Sequence, residues 1–139
     1  KSLTCICSNN TGSHFLDLCI SIFNSIGKTI VIEESKMQSA TVMCASGIAF
    51  WMRIIRAMAQ GGIELGFEAK DSLEMSYRTA EGAINLLELN KTHPEEEIDK
   101  VTTPSGCTIK GIIEMENKGL SSAIIHGLIS SYDKINNIK

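Results

Sequence analysis

The stretch of sequence that most constrains the fold is Val101-Thr102-Thr103-Pro104-Ser105-Gly106-Cys107-Thr108-Ile109-Lys110-Gly111, a polar loop that leads into an apolar-periodic run. The first N–H groups of a helix have no intrahelical partner and carry a partial positive charge. A glycine beside them lets a ligand approach the backbone. The loop is therefore a candidate binding site for a small carboxylate or phosphate, and an ordinary loop with an N-cap is the alternative.

Helical periodicity surrounds this loop on both sides. Downstream, the pattern predicts a helix over residues 108–118, ended by Gly119, and a last helix over residues 120–138. Upstream, residues 93–101 are predicted to form a short helix with Pro94 near its start. Three glutamates, Glu95 to Glu97, follow that proline. We interpret them as a solvated first turn, where acids complement the helix dipole, and a metal or acidic patch is the alternative.

Two longer helices are predicted farther upstream, over residues 48–65 and 69–89, and residues 36–43 are helical in composition. The helix at 69–89 spreads apolar residues over more than one face, which indicates burial on two sides. Gly61 and Gly62 lie inside the other long helix, where glycine costs stability unless another backbone packs close. Together with the small residues at 44–47, they indicate close packing across a homodimer interface.

The first 34 residues have a different pattern. Short β-prone runs at residues 3–7 and 29–33 flank an apolar-periodic stretch at 14–26, which Gly27 is expected to end. This order predicts a β-α-β unit, a piece of an α/β sheet. Because two strands do not make a stable sheet alone, we expect them to pair with something absent from this sequence or contributed by a partner. The chain starts at Lys1 rather than Met, which indicates a piece of a longer protein.

Composition excludes several classes of protein. The 139 residues are 43% hydrophobic and 21% charged, as in an ordinary globular domain. A net charge of −3 without a Lys/Arg cluster argues against a nucleic-acid partner. No apolar run reaches the length of a bilayer span, and we expect neither a membrane partner nor a signal peptide.

The chain has five cysteines and no C-x-x-C pair, which favours reduced thiols in the cytoplasm over a disulfide framework. Cys5 and Cys7 would share one face of a strand, with His14 as the nearby imidazole. Structural zinc needs four ligands, so no metal site is expected here. Small buried hydrophobic groups are the preferred interpretation of these cysteines.

Several motifs of the chain match those of a known enzyme family. One is the run 101–108 followed by Ile112, Met115 and Glu116: a valine, hydroxylated residues, a proline, a glycine and a threonine before an apolar helix that ends in an acid. Another is Cys44-Ala45-Ser46-Gly47-Ile48-Ala49-Phe50 at the start of a long helix, and residues 61–66, 82–83 and 93–94 also match. On these motifs the chain resembles, over essentially its whole length, the C-terminal part of pyrroline-5-carboxylate reductase.

The chain departs from the family pattern at a few positions. Ser105 stands where the family usually has glycine, and a positive φ there would strain a serine. Cys44, Ala45 and Ile48 replace the usual Ser, Gly and Pro.

The resemblance implies a fold that is mostly α, a helical dimerisation bundle preceded by a β-α-β remnant of an α/β Rossmann domain. Residues 1–34 would be the tail of that Rossmann domain, and residues 35–139 an all-helical dimerisation and substrate-binding domain. It also implies an oxidoreductase of proline biosynthesis, acting as a homodimer or a higher oligomer. No G-x-G-x-x-G fingerprint occurs here, so NADP or NAD would be bound mainly by the absent N-terminal domain, and the cofactor-binding residues are unknown. These 139 residues alone are expected to be inactive.

The resemblance further implies a site for an imine substrate in the loop. Backbone N–H groups near Gly106, Cys107 and Thr108 would hold the substrate carboxylate, Thr103 would add a hydroxyl, and Val101 would line the ring. Thr108 would be the catalytic residue, with its hydroxyl bonded to the ring nitrogen; a helix-start hydroxyl is the alternative. The substrate-binding residues implied are Val101, Thr103, Ser105, Gly106, Cys107 and Thr108.

Two other functions stay open from the sequence. One is a non-catalytic dimeric helical module that kept the fold, which the substitutions at Ser105, Cys44 and Ile48 would favour. The other is a related NAD(P)-dependent dehydrogenase that acts on a different substrate, such as a small hydroxy acid. A dinucleotide fingerprint upstream would support either enzyme over the module.

Overall fold

A β-α-β unit opens the chain in the computed structural model, which describes residues 2–137. Strands β1 (Ser2–Ile6) and β2 (Gly27–Val31) pair in parallel, with Ser2 opposite Gly27 and Ile6 opposite Val31. Helix α1 (Leu16–Asn24), preceded by a 3₁₀ turn at Ser13–Phe15, connects them. The predicted β-α-β order is confirmed.

The end of α1 differs from the prediction. Gly27 does not end the helix; it is the first residue of β2. The helix ends at Asn24 because the hydroxyl of Ser25 donates to the Ile22 carbonyl at 2.6 Å and the Ile26 N–H donates to the Phe23 carbonyl. These hydrogen bonds at Ser25 and Ile26, rather than the expected Gly27, thus end the helix.

Helices make up the rest of the described chain, in the predicted order. They are α2 (Met37–Thr41), a π-helical turn (Val42–Ser46), α3 (Gly47–Glu64), α4 (Ala69–Asn90), α5 (Pro94–Val101), α6 (Cys107–Asn117) and α7 (Leu120–Asn136). Gly66 and Gly119, with φ of +98° and +81°, follow α3 and α6 as expected of helix-ending glycines. The predicted end of the last helix at Ile138 lies outside the described residues.

Contacts divide the chain into two compact units. One comprises the residues up to Ala49 together with those from His126 onward, and its buried apolar residues include Ile6 and Val42. The other is Phe50–Ile125. These units are defined by contacts within this chain, whereas the boundary expected after residue 34 separates domains of a longer protein, so that boundary stays a prediction.

Helices α3 and α4 pack through small residues in the second unit. The Ser72 hydroxyl is buried and donates to the Ala59 carbonyl at 2.6 Å, and the Ser76 hydroxyl donates to the Ser72 carbonyl at 2.7 Å. A side chain at Gly62 would collide with the Ser72 hydroxyl, whereas one at Gly61 would meet nothing within 4 Å. The expected close packing is therefore present at Gly62, inside this chain.

Large apolar side chains remain exposed in both units. Within the part of the chain whose burial is described, the buried hydrophobic residues are Ile6, Val42 and Ala59. Helix α1 exposes an apolar stripe, and α3 exposes Trp51 at 61% and Met52 at 64%. This stripe, called the α1 stripe, comprises Leu18 and Ile22 within the helix together with Phe15 just before it and Ile26 just after it. Large exposed apolar patches of this kind are typical of interaction surfaces.

The helical segment Glu34–Glu64 is long and apolar enough to cross a membrane when judged by length and composition alone. It contains an 18-residue window with a mean hydropathy of 1.4. No apolar run of this length was expected from the sequence; the average over a window tolerates an isolated charge such as Arg53, which interrupts a continuous run. The core helix of a soluble protein passes the same test.

Candidate substrate-binding loop

A tight turn joins α5 to α6. Helix α5 ends at Val101, and the backbone N–H of Thr102 points back to the Asp99 carbonyl at 3.4 Å. The Gly106 N–H then donates to the Thr103 carbonyl at 2.9 Å, which closes a four-residue turn. Pro104 takes the second position and Ser105 the third, where a positive φ is typical of a type II turn.

Ser105 has a φ of +58°, in the left-handed region. The condition under which a serine at this position would be strained is therefore met. A residue with a Cβ costs about 1 kcal/mol in this conformation. The loop therefore holds a strained residue next to the start of α6.

Gly106 is required for a different reason. Its φ of −69° and ψ of 162° are accessible to any residue, so conformation does not demand glycine. A Cβ at this position would lie 2.5 Å from the Thr103 Oγ1 and 3.0 Å from the Thr103 carbonyl oxygen. Close approach to Thr103, rather than backbone conformation, thus disfavours a side chain here.

The start of α6 is open. Gly106 is its N-cap and offers no side-chain oxygen, and the first turn contains no acidic residue. The N–H groups of Cys107 and Thr108, the first two residues of the helix, therefore have no intrahelical partner. The positive end of the helix dipole is not compensated by a nearby negative charge. Thr103, Cys107 and Thr108 are exposed. This arrangement suits a small anion such as a carboxylate.

The structure brings most of the expected site residues together in sequence order around this turn. Thr103, Ser105 and Gly106 form the turn itself, and Cys107 and Thr108 follow it directly. Val101 is the last residue of α5, with 61% of its surface exposed. The roles given to these residues stay predictions.

Sequence reasoning missed a polar cluster that fixes the approach to this turn. Glu97 accepts hydrogen bonds from Lys100 at 2.7 Å, from Asn90 at 3.1 Å and from the Thr92 hydroxyl, and only 13% of its side chain is exposed. These hydrogen bonds, of which the one from Lys100 has the largest effect, lower the pKa of Glu97 to about 2. They join the end of α4 to α5.

The interpretation of the three glutamates is therefore confirmed in part. All three lie in the first turn of α5, where Glu95 and Glu96 are exposed as expected, but Glu97 is not a solvated side chain. Part of the signal was available in the sequence, because Lys100 follows Glu97 by three residues on the same helix face, whereas the bonds from Asn90 and Thr92 come from outside the helix.

Among residues 2–137, no group of three His, Cys, Asp or Glu side chains is placed to hold a metal ion. Strand β1 ends at Ile6, so Cys7 lies beyond the strand face that the sequence analysis assigned to it. Cys5 instead lies near Cys44, with 3.9 Å between the two sulfur atoms.

The fold and the loop together define a mostly helical domain joined to a parallel α/β fragment. The helical domain contains a helix start without a side-chain cap, of the kind that suits a small anion. Residues 34–138 match the family model described as pyrroline-5-carboxylate reductase dimerisation. The chain therefore belongs to the pyrroline-5-carboxylate reductase dimerisation family.

The relatives compared below are longer than the chain. It is 50% identical over 127 residues to pyrroline-5-carboxylate reductase 1 of Dictyostelium discoideum, covering 91% of this chain and 23% of that protein. A pyrroline-5-carboxylate reductase of Coxiella burnetii has the same fold, with a TM-score of 0.90 and 22% identity over 95% of this chain and 50% of that one. The Plasmodium falciparum pyrroline carboxylate reductase, solved with NADP bound, has a TM-score of 0.79 and 21% identity over 91% and 47% of the two chains. The chain thus spans half or less of each of these relatives.

Proposed function

We propose that the full protein reduces 1-pyrroline-5-carboxylate to L-proline with NAD(P)H, and that this chain supplies its dimer interface and its substrate loop. The observation that carries the proposal is the open start of α6, with Gly106 as an N-cap that has no side chain. Membership of the reductase family supports an imine carboxylate as the anion that this helix start receives.

The loop would bind the substrate by its carboxylate. The Gly106 N–H is already engaged by the Thr103 carbonyl, so we assign the carboxylate to the N–H groups of Cys107 and Thr108. Gly106 would let the carboxylate approach these groups, and the Thr103 hydroxyl would add a further hydrogen bond. Such contacts fix the orientation of the reacting ring.

The imine end would be held by Thr108. Its hydroxyl would hydrogen-bond the ring nitrogen, while Val101 would line the apolar ring carbons and Ser105 would hold the turn between them. Thr108 and Val101 lie on opposite sides of the turn in the sequence, at the second residue of α6 and the last of α5. In this proposal the chain supplies position and polarity, and the cofactor supplies the reducing equivalents.

The nicotinamide cofactor would be bound outside these residues. The 139 residues contain no G-x-G-x-x-G run, so they do not fit the pyrophosphate-binding part of a dinucleotide site. We propose NADP or NAD, held mainly by an N-terminal nucleotide-binding domain. The NADP bound to the Plasmodium falciparum relative supports a cofactor of this class. The same domain would cover the exposed apolar stripe of α1 and add strands to the β1–β2 pair.

The assembly would be a homodimer through the helical domain, or a higher oligomer built from it. The exposed apolar side chains of α3, including Trp51, Met52 and Met58, support this, because a second copy would remove them from water. Light scattering of the full protein tests the dimer, and a monomer at micromolar concentration would contradict it. We also propose a cytoplasmic location, in keeping with five free cysteines.

Replacement of Thr108 tests the function. In the full-length protein, Thr108→Ala should lower kcat/KM for pyrroline-5-carboxylate about 10- to 100-fold, since a hydrogen bond to a charged or reacting group contributes about 1.5–3 kcal/mol. Thr102→Ala is the matched control, because the Thr102 hydroxyl points back to the Asp99 carbonyl at 3.3 Å.

Three outcomes separate the competing functions. Turnover of pyrroline-5-carboxylate that is unchanged by Thr108→Ala would remove the role of Thr108. Oxidation of NAD(P)H with a small keto acid instead would favour the related dehydrogenase. A correctly folded full-length protein without turnover of either substrate would favour the non-catalytic dimeric module.

A further inference from the structure

Two half-buried cysteines from distant parts of the chain meet in the first unit. Cys5 lies in β1 and Cys44 in the π-helical turn that precedes α3. Their sulfur atoms are 3.9 Å apart, although 39 positions separate the residues in sequence. A disulfide needs a sulfur–sulfur distance of about 2.05 Å, so closing the link requires the two sulfur atoms to move about 2 Å closer together.

We propose that Cys5 and Cys44 are a reversible disulfide site, closed by exchange with an oxidised low-molecular-weight disulfide such as glutathione disulfide. One protein thiolate attacks a sulfur of the glutathione disulfide, and the glutathione S–S bond breaks to release one reduced glutathione. The second protein thiol then loses its proton and attacks the mixed disulfide, releasing the second reduced glutathione. Two protein thiols are oxidised and one glutathione disulfide is reduced.

The order of attack follows from the surroundings of Cys5. Burial, together with the neighbouring Cys44 thiol, raises the pKa of Cys5. A raised pKa lowers the fraction of Cys5 present as the attacking thiolate. We assign the first attack to Cys44 and the closing step to Cys5.

The other cysteines have different positions. Cys7 and Cys19 line a cavity of about 460 Å³ at the carboxyl end of β1. Cys107 is exposed at the start of α6. The 3.9 Å contact with Cys5 belongs to Cys44, a position at which the sequence motif of the family usually has serine. The proposed site is thus a property of this chain rather than of the reductase reaction.

The link would have a mechanical consequence. It would tie β1 to the turn before α3 and close a long loop, which constrains the unfolded chain. It would also span the domain boundary expected after residue 34. The oxidised protein should therefore melt several degrees higher than the reduced protein.

Thiol mapping of the full-length protein tests the proposal without any activity measurement. The protein is equilibrated in glutathione buffers of graded ratio, the free thiols are blocked with N-ethylmaleimide, and peptides are identified by mass spectrometry. We expect a peptide pair joined through Cys5 and Cys44, and its loss on addition of dithiothreitol. Because trypsin leaves Cys5, Cys7 and Cys19 on one peptide, fragmentation spectra must place the link.

Matched variants give the decisive outcomes. Cys7→Ser should keep the link, whereas Cys5→Ala and Cys44→Ser should abolish both the link and the oxidation-dependent rise in Tm. Cys44→Ser introduces the residue usual in the family, so it is expected to fold. If N-ethylmaleimide labels Cys44 at every glutathione ratio, the thiol stays reduced and the proposal is overturned. A link from Cys44 to a different cysteine, or an oxidation-dependent rise in Tm that persists in Cys44→Ser, would overturn it as well.

Discussion

Gly62 in α3 and Gly106 before α6 both allow a neighbouring hydroxyl to come close, yet the two contacts differ in burial and in the parts of the chain that they join. At Gly62 the neighbour is Ser72, a buried residue of α4 that hydrogen-bonds the Ala59 carbonyl. At Gly106 the neighbour is Thr103, an exposed residue of the same turn. One contact joins two helices; the other shapes a loop that leaves N–H groups open.

The difference lies in where the polar groups are satisfied. Around Gly62, the close approach of the helices completes a hydrogen bond away from water, and a buried unpaired group there would be costly. Around Gly106, the close approach uses one N–H within the turn, and those of Cys107 and Thr108 at the helix start have no intrahelical partner. Substitution of the first glycine should therefore reduce stability, and substitution of the second should chiefly reduce activity.

The largest effect on stability is expected from Gly62→Ala. The new methyl group would displace the Ser72 hydroxyl from the Ala59 carbonyl, and the Ser72 Cβ, 3.1 Å away, also leaves little room. Overpacking and the lost hydrogen bond together should lower the free energy of unfolding by about 2–4 kcal/mol. Urea denaturation at one fixed protein concentration measures it.

The adjacent glycine is the control for that experiment. Gly61→Ala meets nothing within 4 Å in this chain and should raise stability by up to about 1 kcal/mol through helix propensity. A loss of dimer with Gly61→Ala would instead place Gly61 at an interface between subunits. Equal losses of stability from both substitutions would contradict the contrast between the two neighbours.

Gly106→Ala should produce the opposite balance in the full-length protein. Its Cβ would push against Thr103, which is exposed and able to shift, so we expect a stability loss of no more than about 1–2 kcal/mol. The turn would open and move the N–H groups of α6, lowering kcat/KM at least about 10-fold.

Gly111→Ala is the control for Gly106→Ala, because Gly111 lies within α6 and a Cβ there would meet nothing within 4 Å. It should leave kcat/KM close to that of the unchanged protein. A Gly106→Ala enzyme that unfolds easily but turns over normally would show that the turn is structural only.

A smaller effect is expected at Ser105. Ser105→Gly removes the strain of a Cβ at φ +58°, and the greater freedom of glycine in the unfolded chain offsets part of the gain. The net rise in unfolding free energy should be no more than about 0.5 kcal/mol. Ser105→Ala keeps the Cβ and should bring no such gain; similar stabilisation by both variants would rule out backbone strain as the cause.

Much of this arrangement was predictable from the sequence, because helix periodicity, Gly66 and Gly119 locate the helices to within one or two residues. The left-handed Ser105 was also predictable, since a glycine is usual at that position in the related family. Two features were not. The π-helical turn at Val42–Ser46 was seen only as a run of small residues, because its hydrogen bonds leave no periodic signal. The protected Glu97 depends on Asn90 and Thr92 from outside its helix, which spacing alone does not reveal.

The smallest effect is expected from the cluster that leads into the turn. Because hydrogen bonds from Lys100, Thr92 and Asn90 lower the pKa of Glu97 from 4.5 to about 2, its charged form is favoured in the folded state. Its contribution to stability is therefore complete above about pH 4.5 and is lost as the pH falls toward 2. Glu97→Gln should flatten this part of the stability–pH curve, measured by urea denaturation between pH 5 and pH 2.5, whereas Glu95→Gln, at an exposed site in the same turn, should leave the slope unchanged. A slope that Glu97→Gln does not alter would mean that these bonds do not persist in solution, and α5 would then lead into the turn at Thr103–Gly106 without this anchor.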